Sequence, residues 1–489
     1  MTDIAGDTAL AAYLLVPDAR AYELGQISAD RAGIDLSEPE SDSGQLALDL
    51  DSDAAVTTHG QRAAAILEVH EVLAKAVDDA NMTQVYREIE LPLVPVLARM
   101  EATGIAVDEA GLSNLIDEFT KQAEASAQEA YDAIGHEVNL GSPKQLQTVL
   151  FDELDMPKTK RTKTGYTTDA EALAELFVKT EHPFLQHLLA YRDSTKLKQT
   201  VVGLLKTVAD DGRIHTTYQQ TVAATGRLSS LDPNLQNIPV RTESGRRIRE
   251  IFIADPEVSG GTLLTADYSQ IEMRIMAHLS GDAALIQAFK DGEDLHSYVG
   301  SKVFGVGIDE VDSEMRSKVK AMSYGLVYGL SAYGLSRQLA IGVDEAKGLM
   351  DQYFERFGAV KDYLDDIVEQ ARAKGFTETI MGRRRYLPAL HSDRRQLRDM
   401  AERAALNAPI QGSAADIMKI AMLKVAERLD DLQSPMLLQV HDEIIVDVRP
   451  DEIDEVKKIV TEEMGSAFEL DVPLDVNVGT GRSWHAAAH

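Results

Sequence analysis

Cations and aromatic residues recur every four positions in the stretch 316–329, RSKVKAMSYGLVYG. Residues four apart in a helix stay near one face, because each such step turns the chain by about 400°. Arg316, Lys320, Tyr324 and Tyr328 would therefore form one stripe of two cations and two rings. Cations suit a polyphosphate, and aromatic rings stack on a base. The spacing alone fits a basic amphipathic helix with half-buried tyrosines equally well.

Carboxylates stand at the ends of apolar runs in two distant segments. Asp267 ends the apolar run TLLTAD, and Asp442 and Glu443 occupy a tight turn in MLLQVHDEIIVDV, 436–448. Oxygen ligands at the end of a strand suit a hard metal ion. Asp267 could equally be an ordinary helix cap. Two adjacent acids between runs that would be buried are less common in a hairpin turn.

The composition is that of a soluble protein with several subdomains. At 489 residues the chain is too long for one core, and we expect two to four subdomains. The absence of cysteine excludes disulfides and thiolate metal sites and fits a reducing compartment. The start, MTDIAGDTAL, has no basic segment and no long apolar run, so we predict neither a signal peptide nor a membrane span.

The net charge of −31 at first opposes nucleic-acid binding, which depends on neutralising phosphates. The imbalance is uneven, however, because residues 1–55 hold twelve acids and only two arginines. Basic residues cluster elsewhere, so charge leaves the question open. The clusters are Lys158, Lys160, Arg161 and Lys163; Arg241, Arg246, Arg247 and Arg249; and Arg383, Arg384, Arg385, Arg394, Arg395, Arg398 and Arg403.

Apolar periodicity and turn residues divide the chain into elements. Ser142 before Pro143 marks a helix start, and Gly104 marks a helix end. Strands at 213–221, 262–267, 436–440 and 444–448 would form one mainly antiparallel sheet. The other expected elements are a helix in TALAAYLLV, an acidic loop at Ser37–Asp53, helices at 61–80, 109–135, 139–154, 169–180, 182–207 and 451–466, a short strand IAVD, a strand in PLDVNVGTG, and a helix-rich block over about 276–405.

The segment ATGRLSSLDPNLQNIPVRTESGRRIREIF follows the first of those strands. Its Gly, Ser, Asp, Pro and Asn residues impose an irregular backbone. Its many planar hydrogen-bonding side chains are poor material for a core, so we expect a surface that contacts a polar polymer. These side chains are Arg227, Asn234, Gln236, Asn237, Arg241, Arg246 and Arg247.

With these pieces in place, the chain resembles a family A DNA polymerase of the bacterial DNA polymerase I type. The resemblance covers about residue 85 to the end and rests on specific motifs in the family's order. They are TGRLSSLDPNLQNIP (225–239), DYSQIEMR (267–274), RSKVKAMSYGLVYG (316–329), NAPIQGSAADIMK (407–419) and QVHDEIIVD (439–447).

The resemblance implies an α+β right-hand polymerase, with a palm built on a mainly antiparallel sheet and with helical fingers and thumb. The expected divisions are a partial, inactive 3′–5′ exonuclease-like domain at 1–84, palm entry at 85–108, thumb at 109–205, palm at 206–275 and 406–489, and fingers at 276–405.

The resemblance also implies the catalytic residues. Asp267 and Asp442 would hold two Mg²⁺ ions, which suits nucleotidyl transfer to a primer 3′-hydroxyl. Glu443 would be a secondary ligand. Lys320 would bind the incoming triphosphate and donate a proton to the pyrophosphate.

Other residues match family positions that bind the dNTP or the primer–template. Tyr324 would stack on the nucleotide, and Glu272 would exclude a ribose 2′-hydroxyl. We also expect the Tyr324 hydroxyl to make the enzyme tolerant of dideoxynucleotides. The remaining nucleotide-binding candidates are Arg316, His296 and Gln270, and the DNA-binding candidates are Arg227, Asn234, Gln236, Arg241, Tyr328, Arg403, Asn407, Gln411 and His441.

Nuclease functions are expected to be missing. The stretch TTHGQRAAA lacks the aspartate of the family's exonuclease motif, and there is no room for a 5′-nuclease domain. We expect a natural protein that is longer at its amino end, with GRSWHAAAH as a complete carboxyl end. We also expect a cytoplasmic, nucleoid-associated monomer. The alternatives are a single-subunit RNA polymerase or reverse transcriptase, and a catalytically inactive DNA-binding remnant.

Overall fold

The computed structural model describes residues 4–36, 52–163, 165–239 and 242–488. It combines helices with antiparallel sheets, which confirms the predicted α+β class. None of the helices in this part of the chain is long and apolar enough to cross a membrane.

In chain order the helices are α1 (Thr8–Leu15), α2 (Leu24–Ala32), α3 (Ser52–Asp79), α4 (Leu91–Thr103), α5 (Glu109–Ile134), α6 (Pro143–Thr148), α7 (Ala170–Thr180), α8 (Pro183–Lys206), α9 (Glu243–Glu250), α10 (Ile271–Ser280), α11 (Ala283–Lys290), α12 (Leu295–Phe304), α13 (Ser313–Val327), α14 (Ala332–Leu339), α15 (Val343–Arg356), α16 (Gly358–Lys374), α17 (Arg395–Leu429), α18 (Ile453–Gly465) and α19 (Trp484–Ala487). Wider π-helical turns occupy Val85–Glu90 and Val149–Glu153. Short 3₁₀ turns occupy Leu235–Asn237, Ile308–Glu310 and Pro388–His391.

The strands are β1 (Ile105–Val107), β2 (Arg161–Thr162), β3 (Gly165–Tyr166), β4 (Arg213–Ile214), β5 (Thr217–Gln219), β6 (Ser229–Leu231), β7 (Phe252–Ile253), β8 (Thr262–Tyr268), β9 (Phe376–Glu378), β10 (Arg384–Tyr386), β11 (Met436–Val440), β12 (Glu443–Val448) and β13 (Val476–Gly481).

The amino-terminal helices α1–α3 share a small apolar core with the turn that follows them. Tyr13 of α1 packs there with Val69 and Leu73 of α3. Helix α1 was predicted, whereas α2 was missed because LGQISADRA has few apolar residues. The acidic loop expected at Ser37–Asp53 lies outside the described residues, except for its last two positions, which begin α3.

The long helices α5 and α8 pack together where Leu115 and Phe119 meet Val201 and Leu204. Helix α6 starts as expected, since the Ser142 side chain accepts a hydrogen bond from the Gln145 backbone N–H at 3.5 Å. The lysine-rich segment between α6 and α7 forms the short hairpin β2–β3 rather than a plain loop.

A four-stranded antiparallel sheet in the order β11–β12–β8–β13 is the centre of the molecule. Strands β8, β11 and β12 are buried on both faces: Leu263 and Ile445 pack in the core of α5 and α8, and Leu264, Ile444 and Val446 pack in the main core. Helices α10 and α17 lie against the same core through Ile275 and Ile417. The sheet therefore pairs β8 with strands that lie far away in the sequence, from Glu443 opposite Asp267 to Gly481 opposite Leu263.

One prediction about this sheet is wrong. The segment 213–221 does not join it but divides into β4, which pairs with β1, and β5, which pairs with β6. The side chain of Thr216 lies at the division and bonds the Ser230 hydroxyl at 2.6 Å and the Leu231 carbonyl at 3.0 Å. Strand β5 contacts the central sheet through a side chain, since the Tyr218 hydroxyl accepts a hydrogen bond from the Gln439 N–H at 2.9 Å. Strand β13 forms the sheet's other edge, beside β8.

The stretch 316–329 forms a helix as predicted. Helix α13 contains Arg316, Lys320 and Tyr324, and Tyr328 is its C-terminal cap. The helix-rich block continues to the hairpin β9–β10 and then to α17, a helix of 35 residues. The boundary expected at 405–406 falls inside this continuous helix.

Candidate functional site

The carboxylates of Asp267 and Asp442 meet where β8 ends and β12 begins. In the register of these antiparallel strands, Glu443 lies opposite Asp267. The Tyr268 N–H donates to the Asp442 carbonyl at 3.1 Å. His441 adopts a left-handed backbone with φ of 57°, and its carbonyl accepts a hydrogen bond from the Gln439 amide at 2.5 Å. This tight turn places Asp442 beside Asp267.

Both aspartates hold their protons more tightly than usual. Burial in the first place, and then the nearby charges of Asp442 and Glu443, raise the pKa of Asp267 to about 8. Burial also raises the pKa of Asp442. Two such groups in a poorly solvated corner repel each other when ionised. A cation between them would relieve this repulsion.

The carboxylate of Glu443 contacts two side chains outside the aspartate pair, Trp484 and Arg249. Its Oε2 accepts a hydrogen bond from the indole N–H of Trp484 at 3.2 Å and lies 3.8 Å from the Arg249 guanidinium. Arg249 in turn lies over the Trp484 ring, 4.0 Å from its centroid. Burial raises the pKa of Glu443 to about 7, although Arg249 opposes the shift. The secondary metal-binding role expected for Glu443 stays a prediction.

The donor set fits Mg²⁺. Magnesium prefers carboxylate oxygens, keeps several waters and is completed by substrate phosphates. Among the described residues no three His, Asp or Glu side chains form a ready-made metal cage. Asp267 and Asp442 could therefore act as the protein ligands of such a Mg²⁺ ion.

An open cavity of about 390 Å³ lies next to this corner. It brings together residues from all five quoted motifs, at 225–239, 267–274, 316–329, 407–419 and 439–447. The predicted site residues that line it are Arg227, Gln236, Gln270, Glu272, Tyr324, Tyr328, His441 and Asp442. Among the lining residues that were not predicted, the polar ones are Tyr268, Lys419 and Gln439, and all three lie inside the quoted motifs.

Glu272 is a buried carboxylate in the wall of the cavity and is 6 % exposed. It accepts hydrogen bonds from the Tyr328 hydroxyl at 2.8 Å and from the Arg227 guanidinium. Burial, followed by the charge of Glu272, raises the pKa of Tyr328. One side chain thus connects the end of α13 to the loop that carries Arg227.

Helix α13 directs its cations toward α12. The Arg316 guanidinium binds Asp294 through two hydrogen bonds of 3.1 and 2.7 Å. His296 is buried, and its ring centroid lies 6.1 Å from that of Tyr324. Burial, aided by the charges of Lys320 and Arg316, lowers the pKa of His296 to about 4. A neutral imidazole and two cations therefore share this end of α13.

The other predicted DNA-binding residues in the described part of the chain do not line the cavity. The Asn234 side chain caps a 3₁₀ turn by accepting from the Gln236 N–H at 3.0 Å. Arg403 packs against Gly329, just beyond α13. Asn407 and Gln411 are half-buried on α17. Arg241 lies outside the described residues.

Two arginines counted in the basic clusters are internal. Arg249 and Arg383 are each 4 % exposed and contact buried acids. Arg247 forms a double hydrogen bond with Glu118 at 2.5 Å. These three cations are therefore committed to the fold, and the basic surface is smaller than the sequence suggested.

Comparison with known proteins agrees with the geometry. The family model for DNA polymerase family A matches residues 109–486. DNA polymerase I of Mycobacterium tuberculosis strain H37Rv is 58 % identical over 99 % of this chain and 54 % of its own length. DNA polymerase I of Bacillus subtilis is 42 % identical over 98 % of this chain and 55 % of its own length. The chain thus spans about half the length of these relatives.

A solved structure is also similar along nearly the whole chain. It is the POL domain of Pol1 from M. smegmatis in complex with DNA primer-template and dNTP. The two chains are 57 % identical and superpose with a TM-score of 0.92, covering 99 % of this chain and 82 % of the other.

Proposed function

Because the chain belongs to DNA polymerase family A, we propose that it extends a primer 3′-hydroxyl with dNTPs on a DNA template by two-metal nucleotidyl transfer. The observation that carries this proposal is the convergence of Asp267 and Asp442 beside a cavity lined by Tyr324 and Arg227. That cavity joins a candidate metal corner to a nucleotide-binding helix and a candidate primer–template loop. The DNA and dNTP bound by the M. smegmatis relative support the assignment.

Asp267 and Asp442 would hold two Mg²⁺ ions. When bound, such ions favour the nucleophilic form of a hydroxyl and offset the charge of a leaving pyrophosphate. The carboxylates' own contribution is to present ionised oxygens at one rigid corner of the sheet, where burial and mutual repulsion make the ionised pair costly without a cation.

Helix α13 would bind the triphosphate. Arg316 offers a planar guanidinium for phosphate oxygens, and the triphosphate would compete with Asp294 for it. Lys320 would donate a proton to the departing pyrophosphate. His296 is neutral at physiological pH because its pKa is about 4, so it would act through one N–H hydrogen bond.

The wall around Glu272 would select the sugar. Its buried carboxylate is fixed by Tyr328 and Arg227, so it cannot move aside cheaply for a 2′-hydroxyl. Tyr324 would stack on the incoming nucleotide, and Gln270 would support it from the start of α10. This arrangement favours deoxynucleotides over ribonucleotides and argues against the RNA-polymerase alternative.

The primer–template would lie along the loop after β5 and the face of α17. Gln236, which follows β6, donates to the Gln439 side chain at 3.3 Å and so ties its own loop to the turn at His441. Amide and guanidinium groups suit the minor-groove acceptors that occur at every base pair, so they report pairing geometry rather than sequence. The residues proposed for this contact are Arg227, Asn234, Gln236, Arg241, Tyr328, Arg403, Asn407, Gln411 and His441.

We further propose that the chain does not proofread. The segment TTHGQRAAA carries no carboxylate, and two-metal hydrolysis without carboxylates is not credible.

Primer extension tests the whole proposal. A recessed primer–template with Mg²⁺ and four dNTPs should be extended by the wild type and not by Asp442→Ala, and the primer should stay intact when nucleotides are omitted. Tight primer–template binding without extension by the wild type would favour the inactive-remnant alternative. Primer shortening without nucleotides would contradict the absence of proofreading.

The Tyr324 hydroxyl gives a finer prediction about the substrate. In this proposal the Tyr324 hydroxyl replaces the hydrogen bond that a dideoxynucleotide loses together with its 3′-hydroxyl. Tyr324→Phe should therefore reduce the use of dideoxynucleotides relative to deoxynucleotides about tenfold. Single-turnover incorporation of ddTTP and dTTP measures the ratio, and Tyr333→Phe, an exposed tyrosine on α14, is the control. An unchanged ratio would refute this role of Tyr324.

A further inference from the structure

A tight turn at 223–226 stands directly before Arg227, the candidate primer–template residue. The Ala223 carbonyl accepts the Gly226 N–H at 3.0 Å, which closes the turn. Gly226 has φ of 88°, a conformation that favours glycine. Because Arg227 directly follows the turn, the position of the turn sets the position of the Arg227 backbone.

The amino-terminal helices hold the turn from one side. The Tyr13 hydroxyl of α1 donates to the same Ala223 carbonyl at 2.6 Å, across 210 positions of sequence. Tyr13 is 1 % exposed and is fixed in the core of α1 and α3. Its hydroxyl is thus a rigid donor rather than a mobile surface group.

A buried ion network holds the turn from the other side. A Cβ added to Gly226 would lie 2.7 Å from Nε of Arg383, so the guanidinium packs directly on the turn. Arg383 donates to Asp416 at 2.9 and 2.7 Å and also to Glu90. Glu90 accepts from Lys419 at 2.6 Å. We call Glu90, Arg383, Asp416 and Lys419 the buried quartet.

Helix α17 closes the remaining side. A Cβ at Gly412 would lie 3.1 Å from the Thr225 carbonyl, so helix and turn are in close contact. The same helix carries Gln411, a candidate DNA contact, and two members of the quartet. The turn, the helix and the amino-terminal unit therefore form one packed body behind the proposed primer–template surface.

We propose that the amino-terminal unit, residues 4–36 and 52–84, is a positioning element for primer–template binding, and that it acts through the Tyr13 hydroxyl on the 223–226 turn. This inference rests on the proposed function of the cavity and assigns a role to a unit for which no chemistry is expected. Tyr13 is a positioning residue, because it acts through the turn and Arg227.

The chain offers a matched control. Tyr22 lies in the same unit, its ring is edge-on to that of Tyr13 at 5.8 Å, and its hydroxyl also donates to a carbonyl, that of Val16 at 2.7 Å. That carbonyl belongs to the amino-terminal unit itself. Tyr13→Phe and Tyr22→Phe thus remove the same chemical group from the same unit, but only the first loses contact with the turn.

Primer–template affinity by fluorescence anisotropy is the first measurement. Tyr13→Phe should raise the Kd about three- to tenfold, which is the change expected from the loss of one hydrogen bond. The KM for dNTP and kcat should change less than twofold. Tyr22→Phe should leave the Kd unchanged. Equal effects of the two variants on the Kd would overturn the proposal, because a merely structural role would move both.

Hydrogen exchange gives a second readout that does not require activity. The Gly226 amide should exchange faster in Tyr13→Phe and at the wild-type rate in Tyr22→Phe, with both proteins still folded in a thermal melt. An unchanged Gly226 rate in Tyr13→Phe would also overturn the proposal. Failure of the wild type to extend a primer would instead refute the proposed function, and the exchange comparison would still decide the role of Tyr13.

Discussion

Charged groups are withdrawn from water in two parts of this molecule, with opposite results. At the corner of β8 and β12, burial and neighbouring acids raise the pKa of Asp267 to about 8. In the buried quartet, burial alone would raise the pKa of Glu90, but the charges of Lys419 and Arg383 outweigh it and lower the pKa to about 2. At the corner, the charges of Arg227 and Arg249 act on Asp442 and Glu443 but do not outweigh burial, whereas the quartet brings two acids and two bases into direct contact.

This difference separates a site from a scaffold. Buried charges persist when partners compensate them, and the quartet supplies its own partners. In the proposed function, the pair Asp267 and Asp442 takes its compensating charge from bound metal ions instead. The two proposed metal ligands thus differ from Glu90 in the direction of the pKa shift rather than in burial itself.

The largest expected effect is on catalysis. Asp267→Asn should reduce primer extension by about 10³-fold, because several kcal/mol of charge stabilisation is lost with the metals. Single-turnover incorporation rates measure the loss. Asp447→Asn, the same change on the neighbouring strand β12, should retain most activity. A rate for Asp267→Asn within tenfold of the wild type would remove Asp267 from the metal site.

The next effect is on stability. Glu90→Gln should destabilise the fold by about 3 kcal/mol, since it leaves two buried cations with Asp416 alone. Urea unfolding without metal measures the change. In the same assay Asp267→Asn should be as stable as the wild type or more so, because it removes a repulsion. The contrast between the two regions fails if both substitutions destabilise equally.

Short-range patterns predicted most of the fold and of the site. The four-residue spacing in α13, the Ser142 cap and the glycine at 104 are local features that the structure reproduces. The residues that line the cavity belong to motifs recognisable in the sequence, including Lys419 and Gln439, whose own roles were not anticipated.

Long-range contacts could not be predicted. Lys419 bonds Glu90 across 329 positions, and no periodicity links them. Arg383 was grouped with a basic surface because its neighbours are arginines, yet its side chain is enclosed by distant acids. The division of 213–221 depends on where Thr216 finds its partners, which alternation alone cannot show.

A pH titration of the metal-free protein sharpens the comparison further. A carboxyl whose pKa rises on folding takes up a proton when the chain folds, so its stability contribution falls as pH rises toward about 8. The wild type should therefore be more stable at pH 6 than at pH 8. The free energy of unfolding should fall by about 1 kcal/mol for each pH unit in this range.

Thermal melts at the two pH values, with and without Mg²⁺, measure this dependence. Asp267→Asn should flatten it, and Mg²⁺ should raise the Tm of the wild type most at pH 8. Glu90 does not contribute in this range, because its lowered pKa affects stability only below about pH 4.5. A wild-type Tm that falls from pH 6 to pH 8 no more than that of Asp267→Asn would contradict the carboxylate assignment.

The smallest effect belongs to a compensated change in the buried quartet. The double variant Glu90→Gln with Lys419→Met removes one acid and one base and leaves Arg383 paired with Asp416. Replacing both members of a buried ion pair is often nearly neutral, whereas removing one is not. The double variant should therefore lie within about 1 kcal/mol of the wild type in urea unfolding and be more stable than Glu90→Gln alone. If the two losses simply added, the quartet would owe its stability to individual hydrogen bonds rather than to charge balance, and it would no longer contrast with the metal corner.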